Sequence, residues 1–109
     1  MKGTNLGEFE ETVLLTVAVL FGEAYGFAIK DEIEKRTSRE ISIGAMRTTL
    51  ARLEDKGFLK SELGEATNIR GGKRKRYYTV ARLGKQELDK VMKNRKELWN
   101  AIPKTAFNF

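Results

Sequence analysis

The sequence predicts a mainly α-helical domain carrying one small β-hairpin. Three observations lead there. Apolar residues recur at spacings of three and four in four separate stretches, the signature of amphipathic helices. Two short runs rich in aromatic and β-branched residues, Phe58 to Leu63 and Arg76 to Val80, flank a glycine-rich basic loop, as strands flank a hairpin turn. The last stretch then carries an apolar stripe that so small a chain has little surface to cover. At 109 residues the length is that of one domain with a modest core.

Met1 to Asn5 is polar and reads as a frayed end. Leu6 to Phe21 has a helical pattern. Phe9, Val13, Val17 and Leu20 share one face, widened by Leu14 and Phe21. Glu8, Glu10 and Glu11 occupy its first turns, where the helix dipole favours negative charge. Its second half, VLLTVAVLF, is apolar almost all round; it reads as a buried core helix because it is too short to span a bilayer. Gly22 to Gly26 is a turn. Phe27 to Arg36 reads as a second helix with Ile29 and Ile33 inward, and with Asp31 and Lys35 placed to pair at i,i+4. Tyr25 is read as packing on the first helix, with a pocket wall as the alternative. Thr37 to Ile41 connects, and Ile41 is placed to make a brief strand contact with the hairpin.

Ser42 opens the third helix as an N-cap, its hydroxyl able to accept from a first-turn N–H. Ile43, Met46, Leu50 and Leu53 form its inner face, and Gly57 sits where a left-handed residue ends a helix. The other face carries Ala45, Arg47, Thr48, Thr49 and Arg52, with no carboxylate before Glu54. Such a short-chained, basic face suits close approach to a major groove, where Arg reads guanine edges or phosphates; an ordinary solvated face is the alternative. Beyond the first strand lies Gly64 to Lys75, with Gly71-Gly72 as a turn signal. Arg70, Lys73, Arg74, Lys75 and Arg76 put five cations in seven residues, and Tyr77 follows at once. Clustered cations on a hairpin tip repel one another unless they meet an anion. Helix, strand, basic loop and strand in that order are the parts of a winged helix-turn-helix.

After Val80 the pattern is helical again, from about Arg82 to Ile102. Leu88, Val91, Met92, Leu98, Trp99 and Ile102 form a stripe, which Arg95 interrupts. Pairing with a second copy would cover it, and packing onto the first helix of the same chain would cover part. The expected division is a winged helix-turn-helix over 1–80 and a C-terminal dimerisation helix and tail over 81–109. Pro103 ends the helix; Phe107 and Phe109 on the tail await an apolar surface.

Composition narrows the chemistry. The chain has no Cys and no His, so disulfides, thiolate chemistry, most zinc sites and the usual nucleophile–base sets have no side chains to use. Neither a metal nor a cofactor is expected, and no catalytic residues are assigned. Net charge is +6 and uneven. Residues 1–41 hold five Lys/Arg against eight Asp/Glu, a balance of −3, and residues 42–109 hold 16 against seven, a balance of +9. A basic half joined to an acidic half suggests a polyanion met on one side, with an anionic membrane as the other candidate. With no signal peptide pattern and no long apolar run, a cytoplasmic location without membrane contact is expected.

Three segments together carry a family resemblance: YGFAI from Tyr25, SIGAMRTTLARLEDKGFL from Ser42, and RGGKRKRYYTVARLG from Arg70. Over roughly residues 6 to 92 the chain resembles the PadR family of winged-helix transcriptional regulators, in the short form with a single C-terminal helix. The resemblance implies a dimeric DNA-binding regulator, usually a repressor, whose last helix dimerises. Arg47 stands where that family often carries Tyr, and Ala81 where it often carries Thr, which removes a good N-cap.

The expected function is therefore a sequence-specific transcriptional regulator, a repressor binding a palindromic operator as a homodimer. Ser42, Ala45, Arg47, Thr48, Thr49 and Arg52 would face the major groove. Arg70, Lys73, Arg74, Lys75, Arg76 and Tyr77 would follow the backbone. Leu88, Val91, Met92, Arg95, Leu98, Trp99 and Ile102 would form the dimer contact. The expected partners are double-stranded DNA and a second copy. A small aromatic or hydrophobic effector at the dimer interface, against Trp99, Phe9 or Phe21, is the alternative to side chains simply filling it. A winged-helix protein–protein or RNA-binding module without operator reading is the runner-up; an enzyme is disfavoured because no carboxylate has a partner at a telling spacing.

Overall fold

The computed structural model describes residues 6–64 and 74–109. It contains α1 (Glu8–Val19), α2 (Gly26–Thr37), α3 (Ile43–Asp55), β1 (Leu59–Leu63), β2 (Arg76–Val80) and α4 (Arg82–Ala101). This is the winged helix-turn-helix order, mainly helical with an antiparallel hairpin.

The first three helices bury one face each around a common centre. Val13, Leu14 and Val17 of α1, Ile29 and Ile33 of α2, and Met46, Leu50 and Leu53 of α3 are all essentially inaccessible to water. Phe58 and Leu59 close the core from the hairpin side, and Leu88 of α4 joins it. Each fully buried aliphatic side chain contributes roughly 1.5–3 kcal/mol over its exposed state, so this cluster dominates the stability of so short a chain. The helix ends follow local rules. Gly7 N–H donates to Glu10 Oε1 at 2.9 Å, closing the first turn of α1. Gly57 has φ of 80°, the left-handed conformation that ends α3 and turns the chain into β1.

Several sequence expectations need revision. α1 is not buried all round: Leu15, Val19 and Phe21 are exposed, because its inner neighbours occupy only one side. The ion pairs along α2 are Lys30–Glu34 and Arg36–Glu32 rather than Asp31–Lys35. Among the described residues, Ile41 makes no strand contact. It lies buried in the core, and its N–H donates to Glu34 Oε2 at 2.8 Å. The contact to the hairpin comes instead from the α1–α2 turn: Tyr25 bridges Tyr77, and Tyr78 N–H donates to the Ala24 carbonyl at 2.8 Å. β2 is thereby held on both sides, by β1 in the register Ser61↔Tyr78 and Leu59↔Val80 and by residues 24–25.

α4 corrects the stripe as well. It begins at Ala81, which makes no side-chain cap, and its 20 residues span about 30 Å. Leu88 and Val91 are buried, at 7% and 5% exposure, within their own subunit, so they are not open to a partner. Arg95 bridges Glu11 of α1 at 3.0 Å, which explains a cation inside an apolar stripe. Beyond Arg95 the helix leaves the body: Leu98 and Trp99 are 72% and 71% exposed, and Met92 is half exposed. Ile102 is half-buried. The projecting helix and tail stretch the molecule to 61 × 30 × 21 Å. Phe107 and Phe109 stack on each other, 6.3 Å between ring centres, and remain exposed.

Candidate nucleic-acid interface

The site begins with α3, which its inner face fixes to the core. Ser42 caps it as expected, its Oγ accepting from Ala45 N–H at 3.0 Å. Ala45, Arg47, Thr48 and Arg52 are exposed on the outer side. Thr49 is not: it is only 5% exposed. At 100° per residue Thr49 lies 60° from Met46, at the edge of the buried arc, so its side chain faces inward and leaves the outer set.

The hairpin supplies the second wall. Arg74 Nε donates to the Gly64 carbonyl at 2.6 Å, fixing that side chain against the opposite strand end. Lys75 Nζ lies 4.1 Å from the centre of the Tyr25 ring, a cation–π contact that holds the ammonium at the wing root. Arg76 Nη1 donates to Ser61 Oγ at 3.0 Å, and Ser61 in turn donates to Glu54 Oε2 at 2.7 Å. Arg76 is thus partly compensated, whereas the contacts of Arg74 and Lys75 among the described residues are to neutral groups. Tyr77 is half-buried, its ring edge-on to Tyr25 at 5.8 Å and 74°, so it sets the tilt of the wing rather than standing out beside the cations. Arg70 and Lys73, with the Gly71-Gly72 turn, lie outside the described residues.

Between α3 and the wing runs a cleft of ≈ 400 Å³ lined by Tyr25, Gly26, Phe27, Ile43, Arg47, Leu50, Arg74, Lys75, Arg76 and Tyr78. Four cations from two separate elements converge there, and among the described residues lining it there is no carboxylate. Burial is the first of the influences that raise the pKa of Tyr78, Glu54 adds to it, and Arg76 opposes it. The cleft floor is therefore a neutral phenol. A strongly cationic rim over a neutral, partly aromatic floor binds polyanions with little competition from the protein's own charges. Sequence reasoning missed Phe27 as a member of this site, and for Tyr25 it is the pocket-wall alternative that the cleft matches. Phe27 carried a signal: it falls about 200° around α2 from Ile29, on the side away from the core.

The carboxylates of the acidic half lie elsewhere, and Glu8, Glu10, Glu11, Glu32 and Glu34 are held in ion pairs. Glu10 binds Lys56 at 2.9 Å, joining α1 to the end of α3. Burial, the largest influence on Glu10, works to raise its pKa. The Gly7 amide, Lys56 and the charge of Arg52 together outweigh it and hold the carboxyl below its ordinary value. Phe9 lies under Arg39, 5.0 Å from ring centre to guanidinium carbon, and packs on the core. It is therefore not a free wall for an effector, whereas Trp99 and Phe21 are open. No helix among the described residues is long and apolar enough to cross a membrane.

Comparison with known proteins agrees with this geometry. A family model described as the transcriptional regulator PadR-like family matches residues 14–90. An uncharacterised protein of Lysinibacillus sphaericus is 33% identical over 86 residues, which are 77% of this chain and 76% of that protein. The X-ray structure of a PadR-like transcription factor from Bacteroides fragilis superposes with a TM-score of 0.72 at 24% identity, over 84% of each chain. The crystal structure of Bacillus subtilis PadR in complex with operator DNA matches with a TM-score of 0.65 at 21% identity, over 77% of this chain and 46% of that one.

Proposed function

The chain belongs to the PadR-like family of transcriptional regulators, which are not enzymes, and from that premise we propose that it is a repressor binding a palindromic DNA operator as a homodimer. The observation that carries the reading is the cleft in which Arg47 of α3 meets Arg74, Lys75 and Arg76 of the wing without a carboxylate. α3 enters the major groove, with Ala45, Arg47, Thr48 and Arg52 toward the base edges and Ser42 at its mouth. Arg74 and Lys75, with Arg70 and Lys73 of the same loop, follow the adjacent phosphates. Phosphate contacts supply affinity and register; the helix face supplies sequence preference. The Bacillus subtilis relative, solved with operator DNA, supports this use of the fold.

Residues 1–80 act as the DNA-binding unit and residues 81–109 as the dimer handle. Met92, Leu98, Trp99 and Ile102 of α4 meet the partner's copy, and Leu15 and Val19 of α1 are further exposed apolar side chains. A small aromatic or hydrophobic effector would enter this interface against Trp99. The protein works in the cytoplasm, where its DNA is.

The test is selection of bound duplexes from a random pool. An inverted repeat should emerge, its half-sites about one helical turn or 10–10.5 base pairs apart, because a two-fold dimer offers two α3 helices to one face of the duplex. Recovery of unrelated sequences, or of a single unrepeated half-site, would refute operator reading by a dimer.

A further inference from the structure

The cleft holds one large apolar side chain that cationic recognition leaves without a role. Phe27, in the first turn of α2, is 55% exposed. It lines the same cleft as Arg47, Arg74 and Lys75, with half-buried Ile43 beside it. The core does not need it: α2 is anchored by Ile29 and Ile33, both essentially inaccessible. An apolar ring facing water in a cation-lined cleft is matched by a ligand that is anionic and apolar in alternation. A nucleic-acid strand has that character, since charged phosphates alternate with sugars whose C–H edges are apolar.

We propose that Phe27, backed by Ile43, is the seat for a deoxyribose of the bound DNA strand. Arg74 and Lys75 from the wing take the flanking phosphates, while Arg47 of α3 stays with the base edges. This deepens the DNA-binding reading and rests on it. The cations draw the strand in by releasing counterions; the ring fixes its depth by excluding water from the sugar. Because every nucleotide presents the same sugar, Phe27 contributes to affinity and not to sequence preference. Because it is uncharged, it contributes nothing to the salt dependence.

These two properties make the seat testable against other roles. Binding of the selected operator and of a random duplex is titrated from 50 to 200 mM salt for wild type, Phe27→Ala and Phe27→Leu. Phe27→Ala should bind both duplexes about tenfold more weakly at every salt concentration, as expected for losing the burial of part of one aromatic ring. The slope of log affinity against log salt should stay that of the wild type, since no phosphate contact is lost. Phe27→Leu, which keeps an apolar side chain, should recover most of the loss. As a control, Lys75→Ala, which removes one phosphate contact from each subunit, should make the slope shallower by about two.

Unchanged binding by Phe27→Ala overturns the proposal. A loss confined to the operator would make Phe27 a base reader and overturn the sugar seat. A shallower slope would show that Phe27 acts only by placing the cations. Wild-type binding that does not respond to salt would instead overturn the DNA reading itself, and the seat with it.

Discussion

Gly84 shows how a single atom decides where an element lies. A Cβ on Gly84 would stand 2.3 Å from the Phe58 carbonyl oxygen and 3.1 Å from its carbon, both backbone. The same carbonyl accepts from Ala81 N–H at 2.9 Å, so the start of α4 is locked onto the joint between α3 and β1. Only a residue without a side chain permits that approach. Gly84→Ala must push α4 away from Phe58 and disturb the seating of Leu88. The expected cost is about 1–3 kcal/mol, typical of overpacking, although alanine is the better helix former. Thermal unfolding followed by circular dichroism should show a midpoint lower by several degrees. A midpoint equal to wild type would mean that the helix start shifts without penalty.

At the scale of elements, the proposed DNA recognition is divided between α3 and the wing. α3 is anchored through Met46, Leu50 and Leu53 and presents its arginines at fixed positions. The wing is held by Tyr25 and Ala24 on one edge and by β1 on the other, which sets where Arg74 and Lys75 stand. Changing Arg74 and Lys75 together to Ala should weaken operator and random DNA alike, because phosphates carry no sequence. Arg47→Ala or Arg52→Ala should narrow the gap between operator and random DNA by about 1–3 kcal/mol, the worth of a bidentate base contact. Paired affinity measurements on the two duplexes separate the cases. If the wing variant alone lost discrimination, the two roles would be exchanged.

The whole molecule is long because α4 outruns the body that supports it. Up to Arg95 the helix is held by Leu88, Val91 and the bridge to Glu11; past it, Leu98 and Trp99 face water. Apolar side chains on a projecting helix are covered most directly by a second copy of the same helix. Leu98→Glu leaves the fold of one chain intact, since Leu98 is exposed in it, but would bury a carboxylate in the proposed dimer. Sedimentation should show a monomer, and operator affinity should collapse although no DNA-facing residue has changed. Two α3 helices must sit about 34–36 Å apart to enter successive major grooves, and separated subunits lose the gain from effective concentration. A Leu98→Glu dimer with wild-type operator affinity would move the dimer contact to another surface, with Leu15 and Val19 of α1 the next candidates.

What the sequence determined by itself is what depends on near neighbours in the chain. Spacings of three and four set which side of each helix is apolar. Ser42 and Gly57 set the ends of α3, the aromatic and β-branched runs set the strands, and the charge imbalance pointed to an anionic partner. Each rests on contacts within a few residues, where backbone geometry alone fixes relative position. What tertiary structure decided is what stands opposite each face. It put Thr49 inside the edge of the buried arc, and it gave the hairpin Tyr25 rather than Ile41. It matched Arg95 with Glu11, 84 residues away in sequence, which divides the α4 stripe into a half kept by its own subunit and a half left open. It also carried Phe27 from a helix start into a cleft shared with α3 and the wing. Periodicity gives an angle about one helix axis; only the packing of several axes says what that angle meets.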